Sequence, residues 1–181
     1  MQPDTDLRAL MVRYQQGDQT AATALVHTVS GPLHRFFLVH TVSRRHADDL
    51  LQETWLRIHR ARHTYRPGEP VLPWIYAIAR HVRVDHYRRV HRIETREQQV
   101  EQLPEVAQNS VGRSGAGPDL AALLAGLPDS QREVITMLKV LNMPIEEVAR
   151  ATSSSVGSVK QKAHRAYVAL RERLAGAKGP K

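Results

Sequence analysis

Between Glu94 and Pro118 lie 25 residues, rich in Gln, Glu, Ser and Gly and ending in NSVGRSGAGP, that a packed core cannot use. Their few apolar side chains bury too little surface to offset the entropy lost on ordering. Whatever this chain folds into is therefore expected to be divided: a lobe over residues 1–92, a flexible connector over 93–118, a second lobe over 119–176 and a disordered tail over 177–181. Small lobes bury proportionally little of their surface, so each must pack efficiently. A helical remnant is expected within the connector around Glu97–Leu103.

Charge follows the same division. Residues 1–92 carry 14 basic and 8 acidic side chains, 93–118 carry 2 and 4, and 119–181 carry 10 and 6. Two basic lobes flank an acidic strand, and a net charge of +8 points to a polyanionic partner. Stretched, the connector reaches about 80 Å at roughly 3.3 Å per residue, more than two turns of B-DNA, so both lobes could sit on one duplex. The absence of cysteine excludes disulfides and thiolate metal sites. With an acidic beginning, MQPDTDLR, and no apolar run near the roughly 20 residues that cross a bilayer, a soluble cytoplasmic protein is expected.

Apolar periodicity is helical throughout, and hairpin signals are missing. Leu7, Leu10, Met11 and Tyr14 mark a helix over Asp6–Gln16, and another follows over Gln19–Val29 after Gly17-Asp18. Pro32 can open a further helix carrying Leu33, Phe36 and Phe37. Ala47–Arg62 places Leu50, Leu51, Thr54, Trp55 and Ile58 on one stripe, with Trp55 assigned to packing, and Arg66-Pro67-Gly68-Glu69-Pro70 ends it. The fold class is all-α, two small helical domains.

Val71–Arg92 threads Trp74, Tyr76 and Tyr87 through five arginines and three histidines, with Asp85 its only acid. Ile75, Ile78, Ala79, Val82 and Tyr87 are expected on the buried side, leaving Arg80, His81, Arg83, Arg88 and Arg89 for other faces. Arginines suit phosphates and aromatics suit unstacked bases, so this helix reads as a surface for single-stranded or opening DNA. Aromatics at helical spacing more often belong to a core; that is the first reading for Trp74, and Tyr76 stays open between the two.

After the connector, Leu120–Leu127, a helix with Val134, Ile135, Leu138 and Leu141, and a short helix with Ile145, Val148 and Ala149 lead to a turn at Thr152–Ser155. The last helix has no acid before Glu172. Two short helices across such a turn, the second basic, make a helix-turn-helix. Ser155 suits the N-cap, placing Val156, Gly157, Ser158, Lys160 and Gln161 at the end that enters a major groove, with His164 and Arg165 further along.

Asp48, Asp49, Gln52 and Glu53 form an acidic face amid basic surroundings. It reads equally as a protein-docking surface or as compensation of a helix dipole. Ten histidines do not make a metal site: His59 and His63 are four apart without an intervening carboxylate, and no cofactor is expected.

Together these motifs resemble the extracytoplasmic-function (ECF) sigma factors of bacterial RNA polymerase. Asp48-Asp49-Leu50-Leu51-Gln52-Glu53-Thr54-Trp55, Arg66-Pro67, Trp74–Arg80, Asp85 and Arg88-Arg89 are similar to their region 2, and Leu127-Pro128, Gln131–Val134, Glu147–Ala149, Gly157–Lys160 and Arg165-Ala166 to their region 4. The resemblance spans Leu7 to Leu174. It implies that Asp48, Asp49, Gln52 and Glu53 dock on the β′ clamp helices of core polymerase. It also implies that Trp74, Tyr76, Arg80, His81, Arg83, Arg88 and Arg89 hold the melted minus-10 element. Ser155, Val156, Gly157, Ser158, Lys160, Gln161, His164 and Arg165 would read the minus-35 duplex, their domain also meeting the β flap. The acidic connector would run along the RNA path, and a cognate anti-sigma factor, often membrane-linked, would hold the protein inactive.

This chain departs from the family pattern at Thr152-Ser153, where Leu-Gly is usual, at His81, where Asn is usual, and at Val71-Leu72-Pro73 before the Trp. The rival reading is a dimeric helix-turn-helix repressor with a ligand-sensing first lobe, which would bind an operator tightly by itself. An enzyme would need a carboxylate cluster or a nucleophile–base pair, and neither basic lobe offers one.

Overall fold

The computed structural model of the protein describes residues 3–41, 43–97 and 120–176, and its regular elements there are all helical. Helix α1 (Pro3–Gln15) is closed by Gly17, whose φ of +91° lets its N–H reach Tyr14 O and the Asp18 N–H reach Arg13 O, both at 3.1 Å. Asp18 then caps α2 (Gln19–His40), accepting from the Ala21 N–H at 3.0 Å.

Pro32 lies inside α2 instead of opening a new helix. A proline in a helix interior costs about 3 kcal/mol. Here Leu25, Val29, Leu33, Phe36 and Phe37 line one buried face on both sides of it. At roughly 1.5–3 kcal/mol per buried side chain, that face outweighs the lost hydrogen bond.

Helix α3 (Arg44–Ala61) begins three residues before the expected start, because Ser43 supplies the cap to the His46 N–H at 3.3 Å. Its buried side is Ala47, Leu50, Thr54 and Ile58. Trp55 is half-buried beside them, its Nε1–H donating to Ser30 Oγ at 3.0 Å. A short 3-10 turn (Arg62–Thr64) leads to α4 (Val71–Glu97), which runs through residues 93–97. Residues 98–119 and 177–181, and with them the expected connector helix beyond Glu97, lie outside the described residues.

In the second lobe, α5 (Leu120–Ala125) leads to α6 (Asp129–Ile135), which a π-helical turn over Thr136–Val140 extends. Then come α7 (Ile145–Ala151) and α8 (Val156–Gly176). Arg132 caps the end of α5 by donating to Leu124 O, Ala125 O and Leu127 O at 2.6–3.0 Å.

The two lobes touch. Helix α5 rests on α2 and α7 on α4, so one apolar core runs from Leu7 and Phe36 through to Val159 and Ala166. Sequence periodicity anticipates the helices but not this seam.

Candidate nucleic-acid interface

Helix α4 presents its residues very unevenly. Tyr76 is 1 % exposed, edge-on to Phe36 with ring centroids 5.5 Å apart, and its hydroxyl is shielded without a partner. Burial raises its pKa. A ring so enclosed cannot stack on a base in this conformation, which corrects the expectation that Tyr76 faces DNA. Trp74 is half-buried, edge-on to Tyr65 at 5.7 Å, and lines a cleft of about 270 Å³ that Arg150 of α7 borders.

Arg83 is also not where the helical pattern put it. Only 9 % exposed, it holds Asp129 through Nη1 at 2.7 Å and Nη2 at 2.9 Å, and Nη2 also donates to Glu133 at 3.1 Å. Arg80 Nε donates to both Glu133 carboxylate oxygens at 3.1 Å. Burial pushes Asp129 up, but the Arg83 hydrogen bonds and charge bring its carboxyl below the usual range overall. Beside this cluster His40 donates from Nδ1–H to Phe36 O at 2.8 Å, while its Nε2 is shielded without a partner. Burial first, and the Arg83 charge second, lower its pKa to about 4.

His81, Arg88 and Arg89 are exposed, as is Arg92. Tyr87 is 68 % exposed, not on the buried side as its spacing suggests. Three helical turns separate it from Tyr76, so both ride one face, but at Tyr87 that face is open to solvent. The ring is exposed beside Arg88 and Arg89, where helical periodicity had assigned it to the core.

On α3, Asp48, Asp49 and Gln52 are exposed. Asp48 Oδ1 lies 2.8 Å from His34 Nε2, off the line a hydrogen bond needs. Because α3 starts at Arg44, both aspartates fall beyond its first turn, where the dipole has faded. Glu53 belongs to a brace instead: Arg57 donates to it at 2.8 Å and to Asp85 of α4 at 2.7 Å. That bond from Arg57 holds the Asp85 carboxyl below its ordinary value.

Helix α8 is the opposite of α4. Val159, Ala163 and Ala166 are buried beneath it, while Gly157, Lys160, Gln161, His164 and Arg165 are exposed and Val156 and Ser158 half-buried. Ser155 caps it, accepting from the Ser158 N–H at 3.2 Å. The turn before it closes with Ser154 N–H on Ala149 O at 2.9 Å and Ser153 N–H on Arg150 O at 3.1 Å. Ser153 takes φ +50°, the left-handed position where glycine is favoured. Thr152 is buried and donates to Val148 O at 2.8 Å, so the turn is shaped as a helix-turn-helix needs despite the missing Leu-Gly. Among the described residues, no group of three or more His, Asp or Glu is placed to hold a metal ion, and no helix is long and apolar enough to cross a membrane.

A basic helix-turn-helix joined to a second helical lobe whose longest helix carries arginines and aromatics defines a transcription protein that meets DNA at two places. The Sigma-70 region 2 model matches residues 25–93, and the Sigma-70, region 4 model matches residues 119–170. The chain is 32 % identical to the ECF RNA polymerase sigma factor SigF of Caulobacter vibrioides, over 97 % of this chain and 98 % of that one. It is 30 % identical to the RNA polymerase sigma factor CarQ of Myxococcus xanthus, over 91 % and 95 %. In fold it is similar to CnrH in complex with the cytosolic domain of CnrY, with a TM-score of 0.73 and 22 % identity over 94 % of this chain and 98 % of that one. It is also similar to RpoE in complex with the anti-sigma factor NepR from Bartonella quintana, with a TM-score of 0.72 and 22 % identity over 84 % and 96 %. The chain belongs to the ECF sigma factors of RNA polymerase.

Proposed function

We propose that the chain binds core RNA polymerase and directs it to promoters through three surfaces. Asp48, Asp49 and Gln52, exposed on α3, dock on the β′ clamp helices. The exposed end of α8, with Lys160, Gln161, His164 and Arg165, reads the minus-35 duplex, and its lobe meets the β flap. Helix α4 holds the melted minus-10 strand with His81, Arg88, Arg89 and the uncovered Tyr87, joined by Trp74, Arg80 and Arg83 when the second lobe moves away. The observation that carries this reading is the pairing, in one chain, of a capped recognition helix with a separate helix that combines arginines and aromatics.

The protein carries out no catalysis of its own and needs no cofactor. Captured bases contribute roughly 1–3 kcal/mol each by stacking, which helps to offset the cost of melting. With four to six phosphates engaged, log affinity falls with log salt at a slope of roughly −3 to −5. An anti-sigma factor, membrane-linked or free in the cytoplasm, holds the protein inactive; CnrH and RpoE, which share the fold, are each bound to such a partner or to a partner's cytosolic domain.

In vitro transcription from genomic fragments with purified core enzyme, with and without the chain, tests the reading. New start sites should appear only when it is present. Asp49→Lys should abolish core binding while the far-ultraviolet circular dichroism stays unchanged. Tight, specific gel shifts without polymerase and no effect on initiation would instead identify a repressor.

A further inference from the structure

Three histidines from three helices surround the acidic face of α3. His34 of α2 brings Nε2 to 2.8 Å from Asp48 Oδ1, its side chain 20 % exposed and that of Asp48 55 %. His46 stands on α3 itself, exposed, with its ring centroid 5.4 Å from that of His86 on α4. Asp49, three positions after His46 and so its neighbour on the helix, also acts on His86 through its charge. The groups that bear on His86 are therefore His46 and Asp49 from α3 and Arg89 from α4, and the charged group facing His34 is Asp48. Arg44 and Arg45, exposed one turn before the aspartates, complete the set.

We infer that these histidines make core docking sensitive to pH, protons on His34, His46 and His86 cancelling the charge that Asp48 and Asp49 offer to the polymerase. The inference rests on the reading of the α3 face as the core-docking surface, and adds how that surface is regulated. Imidazole is the one side chain whose ordinary charge change, near 6.5, falls between about pH 5 and 8. Above that value imidazoles are neutral, and the two carboxylates stand as a patch that a basic partner surface recognises. Arg44, Arg45 and Arg89 already oppose them, so the patch has little reserve. Below 6.5 each proton gained beside it tips the face toward positive. Burial, then the His46 and Arg89 charges, lower the pKa of His86 while Asp49 raises it, so its proton arrives below the ordinary value.

The arrangement suits a proton and not a metal, since among the described residues no group of three or more His, Asp or Glu is placed to hold an ion. His34 Nε2 is shielded and lies off the line of a hydrogen bond to Asp48, so what a proton there adds is charge: it pairs with a carboxylate otherwise offered to the partner. Protons on both His46 and His86 set like charges side by side and push the face further from a basic partner. By linkage, docking on such a partner expels these protons, and association weakens as pH falls through 6.5. Exposed charges are screened by salt, so the effect is largest at low ionic strength.

The test uses the full chain, whose lack of cysteine lets a fluorophore be placed at Thr23→Cys on the exposed side of α2. Anisotropy during titration with purified core RNA polymerase at pH 7.5, 6.8 and 6.0 reads the affinity, and the polymerase's own titration is common to every variant. Affinity of the otherwise unaltered chain should fall by about fivefold or more between the first and last of these. His34→Gln with His46→Gln and His86→Gln should bind like the unaltered chain at pH 7.5 and lose that fall. His46→Gln with His86→Gln, which spares the less exposed His34, should lose part of it. His46→Lys with His86→Lys fixes the positive charge and should bind weakly at every pH. His63→Gln, in the turn beyond the far end of α3, should change nothing. Far-ultraviolet circular dichroism at pH 6.0 checks that each variant is folded. An affinity that does not fall, glutamine variants that keep the fall, or a lysine variant that binds normally at pH 7.5 overturns the inference. If Asp49→Lys leaves core binding intact, the docking reading fails and the inference with it; if Asp49→Lys abolishes binding while the glutamine variants keep the fall, the inference alone fails.

Discussion

Helices α4 and α8 carry the same kinds of residue and meet opposite fates. Helix α8 buries only small apolar side chains, Val159, Ala163 and Ala166, and keeps its cations in water. Helix α4 lies between two layers, with the first lobe on one side and α7 on another, so Tyr76 and Arg83 are enclosed. The difference teaches that a basic residue type says what a helix can bind, whereas the number of neighbours packed around it says when.

The sharpest way to break the comparison is to remove the anion from the seam. Glu133→Ala takes from Arg83 one of its two carboxylate partners and leaves the Asp129 fork in place, and an unmade bond to an enclosed polar group costs about 1–3 kcal/mol. The lobes can part to rehydrate the arginine, so calorimetry should show wild type melting in one transition and the variant in two, the first at lower temperature. A single transition at the wild-type temperature would show that the seam contributes nothing.

Acid should act on the α4 side next. His40 has an ordinary value of 6.5 and is held near 4 in the folded chain, chiefly by burial and then by Arg83. The unfolded chain therefore takes up a proton as pH falls through 6.5, while the folded chain does not until about 4. Stability is complete above that window and declines across it, by about 3 kcal/mol at its foot. Denaturant titrations at pH 7, 5.5 and 4.5 measure the slope, and His40→Leu should flatten it. Asp129, whose carboxyl lies below its ordinary value, adds a loss in the same direction at lower pH.

Helix α8 should respond in binding and not in folding. Gln161→Ala removes an exposed side chain at the groove end, so it should weaken promoter recognition by about 1–3 kcal/mol while the melting temperature stays put. Footprinting of the holoenzyme on wild-type and minus-35-substituted templates measures it. The smallest effect is expected at the turn. Ser153→Gly relieves a left-handed residue that costs about 1 kcal/mol, and should raise stability by that amount without altering promoter choice.

Much of the helical layout was legible because it is written locally. The Ser155 cap and the turn at Thr152–Ser155 each act within a few residues, and the structure has them there. Where local rules compete with packing, they lost: Pro32 sits inside α2 because the apolar face around it is buried end to end. The start of α3 moved to Arg44 because Ser43, outside the apolar stripe, supplies the cap. Within the site, exposed His81, Arg88, Lys160 and Gln161 lie where their spacing puts them, but the fates of Tyr76, Tyr87 and Arg83 were not legible. Each depends on whether a helix distant in sequence covers that turn of α4.

Composition, periodicity and capping alone determined that this chain is helical, two-lobed, basic and built around a helix-turn-helix, since those properties arise from forces acting over one or two turns. Only the tertiary structure decided that the lobes close on each other and that Asp129 and Glu133 take up Arg80 and Arg83. An ion pair between residues 46 to 53 positions apart leaves no periodic trace; it exists because two apolar faces meet and bring opposite charges together at their margin, Glu133 enclosed and Asp129 still in contact with water.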